Sequence, residues 1–386
     1  MSLQKPLFHI VAVLLIFVFS TALLSQAGST SSASIATTTQ QPPIPQNSHH
    51  QQQGDQNICK THDQPNPLAT TFPNNATGVL NGTLAILPVP ISLARRLVPS
   101  QYAILESAYR SLVPDFPEGM YPVLVQAAHD HDIQLRAYGI VLEDFSRIGF
   151  EFPFLDLSGD GYSSYRWAPA QLISAGNDIA IDGSRAYGTQ VSPASFEPEC
   201  EAYKTLPNGN TYIKGVSTAS AAAVGTNSSV VDDNADLSKD EKSIELEMTR
   251  LVSSSFFESD SGSPPYSLDF FKNITNQPTF ARPGGTCDNM IRLFDTSMSR
   301  GKFAPVPVRA RVKAVNVFPF VKGEMDSDSS GSNSDDASRG QREWEWADVY
   351  GVQVATPFIE NNYLDCEAMR GYKGWTAPDG MIMDDL

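Results

Sequence analysis

Two arginines stand among aromatic residues in one stretch of this 386-residue chain. Arg166 lies between Tyr165 and Trp167, and Arg185 lies two residues before Tyr187. Cations beside aromatic rings suit a pocket for a small anionic ligand, because the cation attracts the carboxylate and the rings exclude water. The alternative is an ordinary aromatic core on which the arginine stems pack. The stretch predicts four ligand contacts: Tyr165, Arg166, Arg185 and Tyr187.

Two histidines form a second candidate for chemistry. His129 and His131 alternate with Asp130 and Asp132, so a continuous strand would place both imidazoles on one face. The pair would then be half of a metal site or an acid/base pair. The sequence identifies no third ligand, which favours a polar strand end, and we predict no metal.

An acidic turn and the absent motifs narrow the chemistry further. The segment from Asp156 to Gly161 is similar to half of a calcium loop, but it lacks the glutamate at the twelfth position. We interpret it as a Gly-Asp-Gly turn between two strands. The sequence also contains no P-loop, no dinucleotide-binding glycine motif and no His-Glu-X-X-His.

The order of strand, turn, aromatic strand and glycine-bounded segment resembles the acetoacetate decarboxylase superfamily, including secreted proteins of filamentous fungi with this domain. The residues that carry the likeness are Leu97-Val98-Pro99, Ala180, Ile181, Gly183, Tyr187 and Gly188. The likeness covers about residues 84–200, with an echo at Arg292-Leu293-Phe294. It implies a mainly β (α+β) fold with one antiparallel β-barrel-like domain and small helices. It also implies a small organic acid or keto compound as ligand, no cofactor, and Arg147 and Glu151 as pocket residues.

One departure from the family pattern concerns catalysis. The catalytic lysine of the family should follow Gly188, where this chain has Thr189, Gln190, Val191 and Ser192. That lysine forms an imine with a β-keto acid, which supplies the electron sink for loss of CO₂. We therefore expect binding without imine chemistry, and the catalytic residues stay unknown.

Two other functions stay open. The chain is a decarboxylase-like carbon-carbon lyase if another lysine acts, and Lys204 and Lys214 are the nearest in sequence. Alternatively it is a structural or interaction glycoprotein of the cell wall with a vestigial pocket. The cell wall is a partner only in this last hypothesis.

The elements that must position these residues are predicted from periodicity and breakers. Pro99 and Pro114 divide an apolar helical pattern into two short helices. Ile148, Phe150 and their alternating neighbours predict a half-buried strand. The predicted strands are Tyr121–Ala128, Leu135–Leu142, Ser146–Leu157, Tyr162–Ser174, Asp178–Ile181, Val306–Phe320 and Glu343–Ala355, the last two as one oversized hairpin. A short helix is expected over Ile244–Leu251.

Composition and charge exclude whole classes of function. The chain has 27 Lys+Arg against 43 Asp+Glu, a formal net charge of −16, which argues against a nucleic-acid partner because nothing supplies the positive field that phosphates need. Only one long apolar run occurs, near the N-terminus, so a multi-span membrane protein is excluded.

The N-terminus predicts secretion. Residues 1–27 have a basic start, an apolar stretch and small residues at the cleavage positions, as a signal peptide does. The alternative is an uncleaved membrane anchor, and cleavage would leave no stable membrane contact. We expect a disordered stalk over 28–77, one domain over 78–375 with low-complexity insertions at 216–264 and 324–343, and an acidic tail over 376–386.

Cysteines and sequons agree with an extracellular location. Four cysteines at wide spacing, Cys59, Cys200, Cys287 and Cys366, predict two disulfides with three pairings open. Four sequons place candidate glycans at Asn75, Asn81, Asn227 and Asn273.

Overall fold

Fourteen β-strands form one sheet in the computed structural model, which describes residues 59–61, 65–217, 241–251, 265–294, 296, 299–320 and 343–371. The strands are β1 (Ala76–Pro90), β2 (Ala103–Ile104), β3 (Met120–Leu135), β4 (Ile140–Val141), β5 (Phe145–Asp156), β6 (Tyr165–Ser174), β7 (Gln190–Glu197), β8 (Lys204–Thr205), β9 (Thr211–Ser217), β10 (Lys242–Arg250), β11 (Thr279–Phe280), β12 (Cys287–Arg292), β13 (Val306–Val315) and β14 (Glu343–Leu364). The α-helices of the described residues are α1 (Ile91–Leu97), α2 (Glu106–Leu112), α3 (Asp178–Ala186) and α4 (Leu268–Thr275). Short 3₁₀ helices cover Arg136–Tyr138, Gly301–Phe303 and Cys366–Met369.

The sheet closes on itself in two rings. A nine-strand ring runs β5-β6-β7-β9-β10-β13-β14-β1-β3 and back to β5, and a seven-strand ring runs β5-β6-β11-β12-β14-β1-β3. The rings diverge because β14 is long enough to pair with β13 in its first part and with β12 in its last. Only the β6–β7 and β6–β11 pairs among these are parallel. The prediction of a mainly β, largely antiparallel, barrel-like fold with small helices is confirmed.

Alternate residues of the shared strands face the two different interiors, as the pleat of a strand requires. On one face of the shared wall, Phe150 packs against Trp346 on β14, and Gln353 donates to Thr211 on β9 across the nine-strand ring (2.7 Å). On the other face, Arg147 and Glu151 point into the seven-strand ring. The predicted half-buried strand is therefore wrong in one respect, because β5 is covered on both faces.

Three short segments differ from their predictions. Leu135–Leu142, expected to be one strand, contains the last residue of β3, a 3₁₀ helix over Arg136–Tyr138 and the two-residue strand β4. Asp178–Ile181, expected to be a strand, lies in helix α3, whose first turn is capped by the Asn177 side chain accepting from the Ala180 amide (2.9 Å). Ile244–Leu251, expected to be a helix, lies mostly in strand β10, which pairs with β9 and β13. The buried residues of β10 include Ile244, Leu246 and Met248, and this period of two is typical of a strand.

Other local predictions are confirmed. Helices α1 and α2 end before Pro99 and Pro114 respectively, because proline cannot continue the hydrogen-bonding of a helix. Strands β13 and β14 pair antiparallel, as the oversized hairpin predicts. Asp156–Gly161 forms the turn between β5 and β6, where the Asp156 carboxylate accepts from the Asp160 and Gly161 amides.

The folded region begins earlier than residue 78. Leu68 is fully buried, Cys59 is bonded to Cys200, and β1 already starts at Ala76, so the predicted stalk over 28–77 ends too late. The predicted insertion 216–264 also contains β10. The signal peptide 1–27, most of the stalk, Asn227, nearly all of the 324–343 insertion and the 376–386 tail lie outside the described residues.

Both predicted disulfides are present, as Cys59–Cys200 and Cys287–Cys366. The structure thereby selects one of the three pairings. Within the ranges given above, no helix has the length and apolar character needed to cross a membrane.

Candidate functional site

Seven charged side chains meet inside the seven-strand ring, and we call them the interior cluster. They are Asp130 on β3, Arg147 and Glu151 on β5, Arg166 on β6, Asp288 and Arg292 on β12, and Glu360 on β14. A hydrogen bond from Arg292 to Gln126 on β3 (2.9 Å) shows that the cluster spans the interior, because β14 and β1 separate those two strands along the wall.

Two ion pairs account for four members of the cluster. The Arg147 Nε lies 2.5 Å from the Asp130 Oδ2, and the Arg166 Nε lies 2.7 Å from the Glu151 Oε2. The pairs join neighbouring strands, β3 with β5 and β5 with β6. Burial opposes the charge of Arg147, but Asp130 and Glu151 outweigh it, so the pKa of Arg147 is raised.

Arg292 has a different environment. It is 1% exposed, and its Nη atoms donate to neutral oxygens, to Thr275 O (2.5 Å) and Gln126 Oε1 (2.9 Å). Its Nε has no hydrogen-bond partner, and among the described residues it forms no ion pair. Burial, with Arg166 and Arg147 nearby, lowers the pKa of Arg292 to about 9, which still leaves a cation at neutral pH.

Helix α4 stabilises two of the arginines. Arg166 and Arg292 both donate to the carbonyl of Thr275, the last residue of the helix, where the helix dipole is negative. The side chain of Ser267 caps the helix N-terminus by accepting from the Phe270 amide (3.2 Å). Asn276, directly after the helix, exchanges two hydrogen bonds with the Arg292 backbone (2.9 and 3.0 Å) and so aligns β12 with α4.

Asp288 and Glu360 form the accessible side of the cluster. Both are half-buried, and among the described residues neither forms an ion pair. Burial raises the pKa of Asp288 to about 6, although Arg166, Arg292 and Arg147 counteract it. Burial, together with Asp288 and Asp130, raises the pKa of Glu360 to about 8.

The cluster is open on one side and incompletely satisfied inside. Asp130 and Arg292 are almost fully buried, whereas the Arg147 side chain is 12% exposed. Asp288 and Glu360 are half-buried, so the cluster reaches solvent on the side of these three residues. Six buried atoms of the cluster lack a hydrogen-bond partner. Two of them, Glu151 Oε2 and Arg166 Nε, still face each other in an ion pair at 2.7 Å. The other four have no such contact: Asp130 Oδ1, Arg147 Nη2, Asp288 Oδ1 and Arg292 Nε. Buried polar groups are costly unless hydrogen-bonded, so the arrangement suits a small polar occupant that both accepts and donates.

Three of the six predicted ligand contacts belong to the interior cluster: Arg147, Glu151 and Arg166. The prediction that Arg185 shares a pocket with Arg166 is wrong, because Arg185 is exposed on α3, 3.6 Å from Asp182. Tyr165 is buried, but its hydroxyl donates to Cys366 O (2.8 Å).

Tyr187 lies outside the cluster, though it reaches the strand that carries Glu360. Its hydroxyl donates to Asn362 Oδ1 (2.7 Å), and Asn362 is two residues beyond Glu360 on β14. Residues two apart on a strand share a face, so Tyr187 approaches β14 on the side from which Glu360 extends.

Four members of the cluster were missed from the sequence: Asp130, Asp288, Arg292 and Glu360. Asp130 stands between His129 and His131, and the same alternation that pairs the histidines puts Asp130 on the opposite face. In β12, Asp288 and Arg292 likewise share a face by their even spacing. No sequence signal indicates Glu360.

The two histidines are not a polar strand end, because both are fully buried in the middle of β3. They share a face, with ring centroids 6.4 Å apart. The His129 Nδ1 lies 2.9 Å from the Ser146 Oγ, and the His131 Nδ1 lies 3.4 Å from the Asp132 Oδ2. Within the described ranges, no three His, Cys, Asp or Glu residues are grouped as metal ligands.

The candidate lysines lie elsewhere. The Lys204 side chain is more than a third exposed and forms an ion pair with Glu197. Lys214 is half-buried on β9. Neither contributes a hydrogen bond or ion pair to the interior cluster. Val191, in the segment after Gly188 where the resemblance would place a lysine, lies on β7 beside Gln171 of β6.

A separate surface cleft of about 390 Å³ contains no charged side chain. It is lined by α2, the turn after β5 and the sequon residue Asn273. The lining residues are Leu105, Ser107, Ala108, Ser111, Leu112, Phe154, Gly161, Tyr162, Ser164 and Asn273.

The sequons differ in their suitability for a glycan. Asn81 lies on β1 and is only 7% exposed, so a glycan on its side chain would have to displace the residues packed on that face of the sheet. The prediction of a glycan at Asn81 is therefore wrong. Asn75 and Asn273 are half-buried and stay predictions.

Neither a protein-family model nor a curated protein matches this chain. Solved structures of the enduracididine biosynthesis enzyme MppR are similar in fold at low scores. The complex with pyruvate is 8% identical, with a TM-score of 0.31, over 74% of this chain and 87% of that one. The form with HEPES buffer is 10% identical, TM-score 0.32, over 74% and 84%. At these scores the likeness supports nothing about this chain's residues, ligand or reaction.

Proposed function

We propose that the interior cluster binds a small organic acid or keto acid, with the ligand carboxylate against the Arg292 Nε and the Arg147 Nη2. The observation that carries the proposal is the buried Arg292 guanidinium, which has no carboxylate partner among the described residues. A buried cation is stabilised most by a hydrogen-bonded anion, and a ligand carboxylate supplies one.

The cluster argues against a vestigial pocket. Aromatic side chains pack densely on the other face of the shared strands, around Phe150 and Phe320. The seven-strand ring instead holds charged groups with unsatisfied atoms, and such groups are costly to retain without an occupant. Imine catalysis lacks support as a second function, because neither candidate lysine reaches the cluster.

The proposed setting is a secreted glycoprotein with an acetoacetate decarboxylase-like pocket and no Schiff-base chemistry. Two disulfides support an oxidising compartment, since such bonds are rare where thiols are kept reduced. Secretion itself depends on the N-terminal signal, which the sequence predicts.

Titration calorimetry with pyruvate tests the binding proposal. Pyruvate is chosen because it combines one carboxylate with one carbonyl oxygen in a minimal frame. Wild type should bind at millimolar or lower concentration. Arg292→Met should weaken binding about 10- to 100-fold, the value of one or two charge-assisted hydrogen bonds.

The matched control is Arg311→Met, which removes an exposed arginine of β13 paired with Glu345. Its affinity for pyruvate should equal that of wild type. Because Arg292 also ties β12 to α4, Arg292→Lys is included as a milder change that keeps the charge and removes the Nε donor. The proposal would be overturned if folded wild type did not bind pyruvate. It would also be overturned if both Arg292 variants bound pyruvate as tightly as wild type does.

A further inference from the structure

The charges of the interior cluster do not balance on their own. Two arginines are neutralised by direct ion pairs, Arg147 by Asp130 and Arg166 by Glu151. The remaining arginine, Arg292, faces two carboxyl groups, Asp288 and Glu360, neither of which pairs with it directly. With every group ionised, the cluster therefore carries one negative charge more than it carries positive.

A carboxylate ligand would worsen that imbalance. It would add a second uncompensated negative charge to a largely buried site, where like charges repel more strongly than they do in water. Protonation of Asp288 or Glu360 removes one of the two excess negative charges, and protonation of both leaves Arg292 free to match the ligand one to one. The binding of an anion and the binding of a proton are thus coupled by the charge count.

We propose that the seven-strand ring takes up a monocarboxylic acid together with a proton, with the carboxylate on Arg292 and the proton on Asp288 or Glu360. This inference rests on the proposed function of the same site. The protonated carboxyl then donates a hydrogen bond to the second oxygen of the ligand, a carbonyl or hydroxyl. Asp288 and Glu360 are therefore specificity-determining residues.

The surroundings of the two carboxyl groups favour the protonated forms. Glu360 on β14 faces Asp288 and Arg292 of β12, Asp130 of β3 and Arg147 of β5, and burial is the main cause of its raised pKa, about 8. Asp288 faces a larger number of cations, which explains its smaller shift to a pKa of about 6. At neutral pH, Glu360 is already protonated and Asp288 is the group that must take up the proton.

The same charge count excludes dianions. Arg292 is the one arginine of the cluster without a carboxylate partner, so it can match a single carboxylate. A second carboxylate on the ligand would meet Asp288 and Glu360 instead of a cation. Propionate and malonate, which share a three-carbon frame and differ by one carboxylate, separate the two cases.

The test is titration calorimetry with pyruvate at about pH 5, 7 and 9, in two buffers that differ in ionisation enthalpy. We expect about one proton taken up per pyruvate at pH 7 and close to none at pH 5. The affinity should fall by up to tenfold per pH unit above about pH 6, which is the slope for one coupled proton. Malonate should bind at least tenfold more weakly than propionate.

Variants assign the proton to its residues. Asp288→Asn should abolish proton uptake at pH 7 and flatten the affinity profile between about pH 6 and 8, and Glu360→Gln should flatten it above pH 8. Glu345→Gln, a change at an exposed residue of β14, should leave both unchanged.

Two results would overturn the inference while leaving the proposed function standing. One is pyruvate binding with no proton uptake and no pH dependence from pH 5 to 9, and the other is malonate binding as tightly as propionate. Failure of pyruvate to bind at every pH, in wild type and in both carboxyl variants, would instead overturn the proposed function and this inference with it.

Discussion

Three arginines share one interior, yet their surroundings give them different roles. Arg147 and Arg166 each have a carboxylate within 3 Å, so their charges are compensated by the fold itself. Among the described residues, the Arg292 guanidinium donates to the neutral oxygens of Gln126 and Thr275 and pairs directly with no carboxylate. A buried arginine without an anionic partner is unfavourable in the free protein, and the same property makes it a strong anchor for an arriving carboxylate.

The Glu360→Gln variant should change the pH dependence of stability. The folded-state pKa of Glu360 is about 8 against an ordinary value of 4.5. Below pH 4.5 both states hold the proton; between 4.5 and 8 only the folded state does, so stability falls as pH rises through this window. Relative to wild type, Glu360→Gln should gain about 1–3 kcal/mol at pH 8.5 and nothing near pH 4.

Urea unfolding at several pH values measures this gain, with Glu345→Gln as the control. An identical slope of stability against pH in wild type and Glu360→Gln would show that Glu360 ionises normally in the folded protein. The raised pKa of Glu360 would then be wrong, whether or not the site binds a ligand.

No covalent adduct should form with a keto acid. Decarboxylation through an imine needs a lysine whose amine reaches the ketone carbon of the substrate. The segment after Gly188 where the resemblance would place that lysine, residues 189–192, contains none. Borohydride added in the presence of acetoacetate should therefore leave the protein mass unchanged, and acetoacetate should decay no faster than in buffer. Mass spectrometry that places an adduct on Lys204, Lys214 or another lysine would contradict this.

At this scale the sequence identified three of the seven members of the interior cluster. Arg147, Glu151 and Arg166 lie on adjacent strands β5 and β6, within 20 residues of one another, so local patterns could suggest them together. Arg292 and Glu360 are more than 100 residues further along, and they reach the same interior only because β12 pairs with β14. Local periodicity contains no information about that pairing.

Among the elements, strand β12 has to be fixed at both ends, because it carries two members of the interior cluster. It is six residues long, it carries both Asp288 and Arg292, and its first residue, Cys287, is tied to Cys366. The disulfide anchors the end of the strand beside Asp288, while Asn276 holds the other end at Arg292.

Replacing Cys287 and Cys366 together by Ser should lower both stability and affinity. A disulfide closing a loop of this length, with a sequence separation of 79, contributes about 2–4 kcal/mol. Urea unfolding should show that loss, and pyruvate affinity should fall because Asp288 is no longer fixed.

The paired Ser variant of Cys59 and Cys200 is the control, because that disulfide joins segments outside the cluster. It should lose stability without losing affinity. Equal effects of the two pairs on pyruvate binding would show that the Cys287–Cys366 bond has no special role at the site.

Elements with a strong period were predictable, and short ones were not. Strand β5 alternates over many residues, and the prolines after α1 and α2 end those helices unambiguously. The segment of helix α3 was predicted as a strand, and most of strand β10 was predicted as a helix. Four to eight residues of mixed character fit the period of either structure. Their conformation is decided by partners, Asn177 as a cap for α3 and the strands β9 and β13 for β10.

On the scale of the whole molecule, burial in the sheet determines which sequons can carry a glycan. Expressed through a secretory pathway, the protein should carry glycans at Asn75 and Asn273 and none at Asn81, because the Asn81 side chain is buried against the sheet. Peptide mapping after enzymatic deglycosylation in heavy water would mark each occupied asparagine. A glycan at Asn81 on a folded, disulfide-bonded molecule would contradict the packing of β1.

The long strand β14 has a consequence for the order of events during synthesis. It is the last of the described strands along the chain, and both rings need it, since β1 pairs with it along eleven residues. Before β14 is made, β1 presents an open edge, and Arg292 has no closed wall around it. Open edges and exposed apolar faces attract other chains, so the nascent protein should depend on chaperones until β14 has been synthesised. A chain that stops before residue 343 should accumulate as aggregate and not as a smaller folded domain.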